Sequence, residues 1–341
     1  MNKHLTRFRK DLRERLLDLL WGQWDSLGVS GQAAWSKRAV IDPDALLVFS
    51  CSMARYDARL FDEMLDWVAT HGRFLNIQRV GNIARKGGFS GGPVLSAVAD
   101  FMSRRETPAK WTRLSRLFPR SEPNPAPLFF SADGKPIPPF GKLDPVFEEH
   151  GFSRGLVNPR GHVRPFPATR PANLWLALRA LLGVNARCEI LLYLLLNGKG
   201  HARGIARETF FFQKTIQDAM AEMGQSGFVQ GQTKGRERFY TLKPEAWSTV
   251  AGRGQPLPRW TNWPAVFVAL ESICFTVMDP KMDERNDLML GADLNGLIRK
   301  IAPMLTQAGV SHQLEPRPIE NEAEYVKATL RELETFVGEI A

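Results

Sequence analysis

The 341-residue chain predicts a mainly α-helical fold in which a central unit, several helices closed by a two-stranded hairpin, is flanked by helical N- and C-terminal domains. Three observations carry this prediction. Apolar residues recur at helical spacing on both sides of the centre, as in Leu60, Phe61, Met64, Leu65 and Val68. A pattern of short strands around a basic turn is confined to residues 227–242. Twelve of the 23 prolines fall between Pro119 and Pro171, where they break the helical pattern and set the central unit apart.

At the start of the chain, Leu5, Leu12, Leu16, Leu19, Leu20 and Trp24 form one face of a basic amphipathic helix over residues 3–24. Such a helix docks on a core or a second subunit, or else lies on a membrane surface or along a DNA backbone. Residues 22–40 read as connecting sequence. Asp42 and Pro43 then supply a cap and a first-turn proline. Helices are expected at 45–53, at 58–69 with a stop at His71-Gly72, at 73–84 and at 94–102. In this first domain, 1–118, the stretch from Arg73 to Arg120 carries Arg73, Arg79, Arg85, Lys86, Arg104, Arg105, Lys110, Arg113, Arg116 and Arg120 against Asp100 and Glu106. That is either a solvated basic face or a second surface for phosphates.

The proline-rich segment, 119–171, is expected to run extended or in turns. Leu128, Phe129, Phe130, Phe140, Val146, Phe147 and Phe152 make it an ordered arm packed across the helices rather than a solvated linker. A small hairpin is expected to close at Ser131-Ala132-Asp133-Gly134. The next domain, 172–250, opens with a helix at 173–182. An apolar helix at 188–196 follows, ending in the turn Asn197-Gly198-Lys199-Gly200. A short helix at 202–208, a break at Thr209–Phe212 and a helix at 213–225 have the layout of a helix-turn-helix. Gly227-Phe228-Val229 reads as a strand, Thr233-Lys234-Gly235-Arg236 as a basic turn and Arg238-Phe239-Tyr240-Thr241-Leu242 as the returning strand. The last domain, 251–341, begins with a Gly/Pro/Trp connection and carries helices at 265–278, 288–308 and 320–340. From Ala265 onward, thirteen carboxylates oppose seven bases. An acidic surface is repelled by DNA, so this end suits dimerisation or a protein partner.

From Ala202 to Leu242 the chain resembles the winged helix-turn-helix superfamily, which consists mostly of bacterial DNA-binding regulators. The match rests on apolar Ile205, Ala206, Ile216, Met220 and Met223, on Ser226-Gly227-Phe228-Val229 and on the hairpin that would be the wing. Phe210-Phe211-Phe212 departs from the family, which has small or polar residues in this turn. The departure implies an altered angle between the helices, or a turn packed under another part of the protein. The resemblance implies that the third helix enters the major groove with Gln213, Lys214, Thr215, Gln217 and Asp218. Gln can bond adenine, Lys can reach guanine acceptors, and Thr can touch a thymine methyl or a phosphate. Asp218 is placed to orient Lys214, one turn away. Arg203 and Arg207 suit phosphates, while Lys234, Arg236 and Arg238 suit the backbone or the minor groove.

A net charge of +9 and a pI near 9.6 fit a polyanionic partner. Cys51, Cys188 and Cys274 lie far apart on apolar segments, as reduced thiols of a cytoplasmic protein would. No signal peptide or membrane span is legible. Gly88-Phe89-Ser90-Gly91-Gly92-Pro93 resembles the nucleophile loop of trypsin-like serine proteases, but its helical surroundings lack the catalytic partners that chemistry needs. The six histidines are scattered, and Asp62 and Asp66, one turn apart, read first as a solvated face. These features imply a non-enzymatic, cofactor-free regulator that binds double-stranded DNA in a sequence-specific way, as a homodimeric repressor on a palindrome. The alternative is an accessory or scaffold subunit of a defence or toxin-antitoxin system, using the unit for protein or non-specific DNA contacts. The central unit is expected to share its DNA-facing side with the Arg73 to Arg120 surface.

Overall fold

A computed structural model describes residues 3–31, 35, 38–105, 108–119, 124–131, 133–235, 237–242, 247, 256–310 and 314–341. The chain is mainly helical, as predicted. The first helices are α1 (Lys3–Ser26), α2 (Pro43–Met53), α3 (Ala58–His71), α4 (Ile77–Gly87), α5 (Gly92–Ser103) and α6 (Pro108–Ser115). The side chains of Leu5, Leu12, Leu16, Leu19, Leu20 and Trp24 are all buried, so the apolar stripe of α1 is a docking face. The helix runs on into the stretch read as connecting sequence because Gln23, Trp24 and Ser26 are buried too. There Trp24 Nε1 donates to Ser50 Oγ at 2.9 Å. Asp42 caps α2 by accepting from the amides of Asp44 and Ala45.

The C-terminal helices, α12 (Trp263–Met278), α13 (Asp287–Gln307) and α14 (Glu322–Ile340), do not form a core of their own. The apolar α12 packs against α1, α2, α4 and α13, with the Phe49 and Phe267 rings stacked 4.5 Å apart, and α14 lies along α1 and α13. The boundaries expected between 1–118 and 251–341 therefore do not separate two cores. The apolar stripes of both segments are buried by each other.

The arm adds Leu128, Val146, Phe147, Phe152 and Val163 to this first core. Strand β1 (Ala126–Pro127) pairs in parallel with β4 (Phe152–Ser153). Strands β2 (Phe129–Phe130) and β3 (Pro136–Ile137) form the expected hairpin, in which the Ser131 amide donates to Lys135 O at 2.9 Å. Ala132 lies outside the described residues. Two details depart from expectation. Residues 145–149 form a short helix, α7 (Pro145–Glu149), because Asp144 accepts from the amides of Val146 and Phe147 and Pro145 occupies the first turn, where a missing N–H costs nothing. Phe140, expected to pack, is 98% exposed. Asp62 and Asp66 anchor the arm: Arg154 Nη2 donates to Asp62 Oδ1 at 2.6 Å, and the Gly161 and His162 amides donate to Asp66 at 2.9 and 3.1 Å.

A second core is built from α8 (Leu174–Leu182), α9 (Ala186–Asn197), β5 (Lys199–His201), α10 (Ala202–Thr209), α11 (Gln213–Gln225), β6 (Val229–Lys234) and β7 (Glu237–Leu242). Its sheet is antiparallel in the order β5-β7-β6, with Gly200 and Gly231 both opposite Tyr240. The residues read as a turn at 199–200 thus supply a third strand. Gly200 permits it, since a Cβ there would meet Tyr193 Cε1 at 2.8 Å. Strand β6 begins at Val229 and extends to Lys234, beyond the three residues expected.

Candidate nucleic-acid interface

On α11, Ile216, Ala219 and Met220 are buried against α9 and α10 at i, i+3 and i+4. That leaves Gln213, Lys214, Thr215, Gln217 and Asp218 exposed together. Lys214, 80% exposed, reaches Asp218 Oδ1 at 2.8 Å, the pairing anticipated for an i, i+4 step. On α10, Ile205 and Ala206 face the core while Arg203 and Arg207 are exposed. Arg207 pairs with Glu208 at 3.2 Å. Lys234 and Arg238 stand exposed on the hairpin, and Arg236 lies outside the described residues. The Arg238 guanidinium crosses the sheet above Gly231, where a Cβ would stand 2.6 Å from Arg238 Nε, and its Cζ is 5.3 Å from the Tyr240 ring centroid.

These residues line two neighbouring open hollows. One, of about 500 Å³, brings together Arg203, Gln213, Gln217, Asp218 and Arg238. The other, of about 520 Å³, is lined by Arg203, Arg207, Gln213, His201, Glu237 and Lys86. Lys214, Thr215 and Lys234 line neither of them. Sequence reading missed His201 and Phe212, and placed Lys86 only within the broad Arg73 to Arg120 stretch. Phe212 precedes α11 and is 62% exposed beside Gln213. His201 caps α10, accepting from the Gly204 amide through Nδ1 at 3.4 Å, a role that its place just before the helix makes legible. Nothing local in the sequence brings Lys86 to this site, because it comes from α4 of the first core.

The triple-phenylalanine turn explains that approach. Phe210 is the one described non-glycine residue with positive φ, 59°, in the left-handed region that costs roughly 1–2 kcal/mol for an L-residue. Its ring packs on the first core, and its carbonyl accepts from Asn82 Nδ2 at 3.0 Å. The preceding carbonyl, of Thr209, accepts from Arg79 Nε at 2.8 Å. Phe211 packs on the second core. The turn is therefore tied to α4 and packed on the first core through Phe210, while Phe212 stays exposed.

Arg79 belongs to an ionic cluster buried between the two cores. Its Nη1 and Nη2 donate to Asp42 at 2.7 and 2.6 Å, and Nη1 also to Asp44 at 3.0 Å. Arg179 donates to Asp44 at 2.7 and 2.9 Å, to Glu189 at 2.7 and 3.0 Å and to Phe74 O at 2.9 Å. The Trp175 ring stands beside both guanidiniums, its centroid 4.7 Å from that of Arg79 and 5.5 Å from that of Arg179. Burial opposes the charge on Asp44, but the flanking guanidiniums outweigh it and hold the carboxyl below its ordinary value. Burial pushes Glu189 up. The Arg179 and Arg79 guanidiniums oppose that rise.

The stretch from Arg73 to Arg120 is consequently not one basic face. Arg79 is internal, and Lys110 donates to the Gly72 and Arg73 carbonyls. Arg104 pairs with Asp100 and Glu149. Arg120 lies outside the described residues. The glycine-rich loop at 88–93 is likewise occupied by an internal anion: the Ser90 amide and hydroxyl donate to the buried carboxylate of Glu271 at 3.3 and 2.9 Å, and the Gly91 amide donates to Ser52 Oγ at 3.0 Å. The three cysteines are buried free thiols, and burial pushes Cys274 up to about 12.

Among the described residues no group of three or more His, Cys, Asp and Glu side chains could hold a metal ion, and no helix is long and apolar enough to cross a membrane. Comparison with protein families, with curated proteins and with solved structures finds no match to this chain.

Proposed function

We propose that the chain binds duplex DNA through a winged helix-turn-helix, with α11 entering the major groove and the β6-β7 hairpin acting as the wing. The observation that carries this is the open outer face of α11. Gln213, Lys214, Thr215 and Gln217 stand clear of both cores, with Arg203, Arg207, Lys234 and Arg238 on the elements to either side. An α-helix with its side chains is about 10–12 Å across and the major groove about 12 Å wide, so a helix exposed along one face can seat there. Gln and Lys then read base edges, while the arginines neutralise phosphates without reading sequence. The succession of α10, turn, α11 and hairpin supports the same assignment.

In its regulatory form this function is repression by a homodimer, whose twofold axis matches the symmetry of a palindromic site. The test is selection of duplexes from random DNA by the purified protein, followed by binding titrations on the selected sequences. A recovered inverted repeat and salt-dependent binding support the proposal. Recovery of unenriched DNA together with absence of a salt-dependent shifted band refutes it.

A further inference from the structure

We infer that the DNA interface extends past the α10-α11 unit onto α4, where Lys86 contacts a backbone phosphate from the first core. This rests on the DNA-binding function proposed above. Lys86 sits in the last turn of α4 and lines the same hollow as Arg203, Arg207 and Gln213, so cations from both cores converge on one concavity whose lining includes a single carboxylate, that of Glu237. The convergence is built into the fold. Arg79 and Asn82, two turns and one turn earlier on α4, hold the Thr209 and Phe210 carbonyls at 2.8 and 3.0 Å. The helix that carries Lys86 is thereby fixed to the turn that precedes α11. A phosphate run that passes Arg203 and Arg207 meets Lys86 without rearrangement of either core.

The other basic residues of this region show why Lys86 is singled out. Arg79, Lys110 and Arg104 are committed to internal carbonyls or to carboxylates, and Arg85 reaches back to Asn82 at 3.3 Å. Lys86 Nζ is 5.8 Å from the centroid of the Phe210 ring, a loose cation-π distance that leaves its donors for a ligand. The competing role is purely structural, since a cation in the last turn of a helix also complements the helix dipole. An ammonium that only does this has no effect on counterion release from DNA.

Lys86→Gln keeps the aliphatic stem and removes the charge. On the duplex that the wild type selects, each protomer then neutralises one phosphate fewer, which lowers the slope of log affinity against log salt by about 0.9 per protomer. The base preference in the selected pool is expected to stay the same, and a hydroxyl-radical footprint is expected to lose backbone protection at one position in each half-site. Arg203→Ala serves as a parallel measure of what a single phosphate-bound cation contributes, and a thermal melt of each variant checks the fold. If the wild type binds and Lys86→Gln shows an unchanged slope and footprint, Lys86 is a helix-end cation only, and DNA binding through α11 still stands. If the wild type itself shows no salt-dependent duplex binding, both the function and this extension of it are overturned.

Discussion

Arg79→Met probes whether the two cores are joined through the buried ionic cluster. The substitution keeps an unbranched side chain in place but removes the three charge-assisted bonds to Asp42 and Asp44, of 2.6–3.0 Å, and the donor to Thr209 O. Asp42 then keeps its cap on α2 without a guanidinium beside it, and Asp44 keeps Arg179 and the Asn76 amide. Removing one partner of a buried pair costs roughly 3–5 kcal/mol, because the stranded charge stays out of water. About 1 kcal/mol of that is what the Thr209 carbonyl bond alone would give. The assay is denaturant unfolding followed by tryptophan fluorescence, with amide exchange across residues 205–216 as a local readout. Exchange there is expected to quicken, because the turn is no longer tied to α4 through Arg79. Asp42→Asn in the Arg79→Met background is expected to recover part of the stability, a non-additivity that marks direct contact. A destabilisation under about 1 kcal/mol, the scale of an exposed ion pair, would refute the reasoning.

Other outcomes follow from single interactions. Burial raises the Glu271 carboxyl above its ordinary 4.5, so the folded chain binds this proton more tightly than the unfolded one. The stability it contributes is full below about pH 4.5 and is lost as pH rises through the raised value. Glu271→Gln retains an oxygen for the Ser90 donors and is expected to melt at or above the wild-type temperature near pH 7, with the advantage vanishing near pH 4; a lower Tm near pH 7 contradicts this. Gly231→Ala places a methyl where Arg238 lies, and the far end of that side chain swings aside at little cost, so Tm is expected to hold while duplex affinity falls. A normal affinity would remove Arg238 from the interface. Asn82→Ala is expected to cost about 1–3 kcal/mol, since the Phe210 carbonyl is left without its donor while its φ stays in the left-handed region; an unchanged unfolding midpoint would show that the ring packing alone holds the turn.

Much of this arrangement is legible in sequence where the signal is local. The α11 span from Gln213 to Gln225 is readable as a helix, and its inward residues Ile216 and Met220 and its outward polar set fall where a 3.6-residue period puts them. Asp42 and Pro43 mark the start of α2 through ordinary cap chemistry. What sequence does not disclose depends on long-range contacts. Arg79, flanked by Gln78 and Val80, reads as a basic surface residue until Asp42, Asp44 and Thr209 are brought around it from distant positions. The single core of residues 1–118 and 251–341 is hidden for the same reason: an amphipathic stripe says that a face is buried, not against what. Strand β5 escapes because three residues pairing with a strand nearly forty residues later carry no periodicity of their own. In the interface, the outward residues of α10 and α11 are readable, whereas Lys86 joins them only through the fold.

The most direct test of the central claim is a comparison of wild type with Lys214→Ala/Gln217→Ala on a panel of single-base variants of the selected duplex, read as affinity against salt. If α11 reads the major groove, the wild type discriminates among the variants by about 1–3 kcal/mol at the contacted positions. The double variant is then expected to lose that discrimination while retaining most of the salt slope carried by the arginines. Equal discrimination by the two proteins, or a wild type that binds no duplex at any salt concentration, would contradict it.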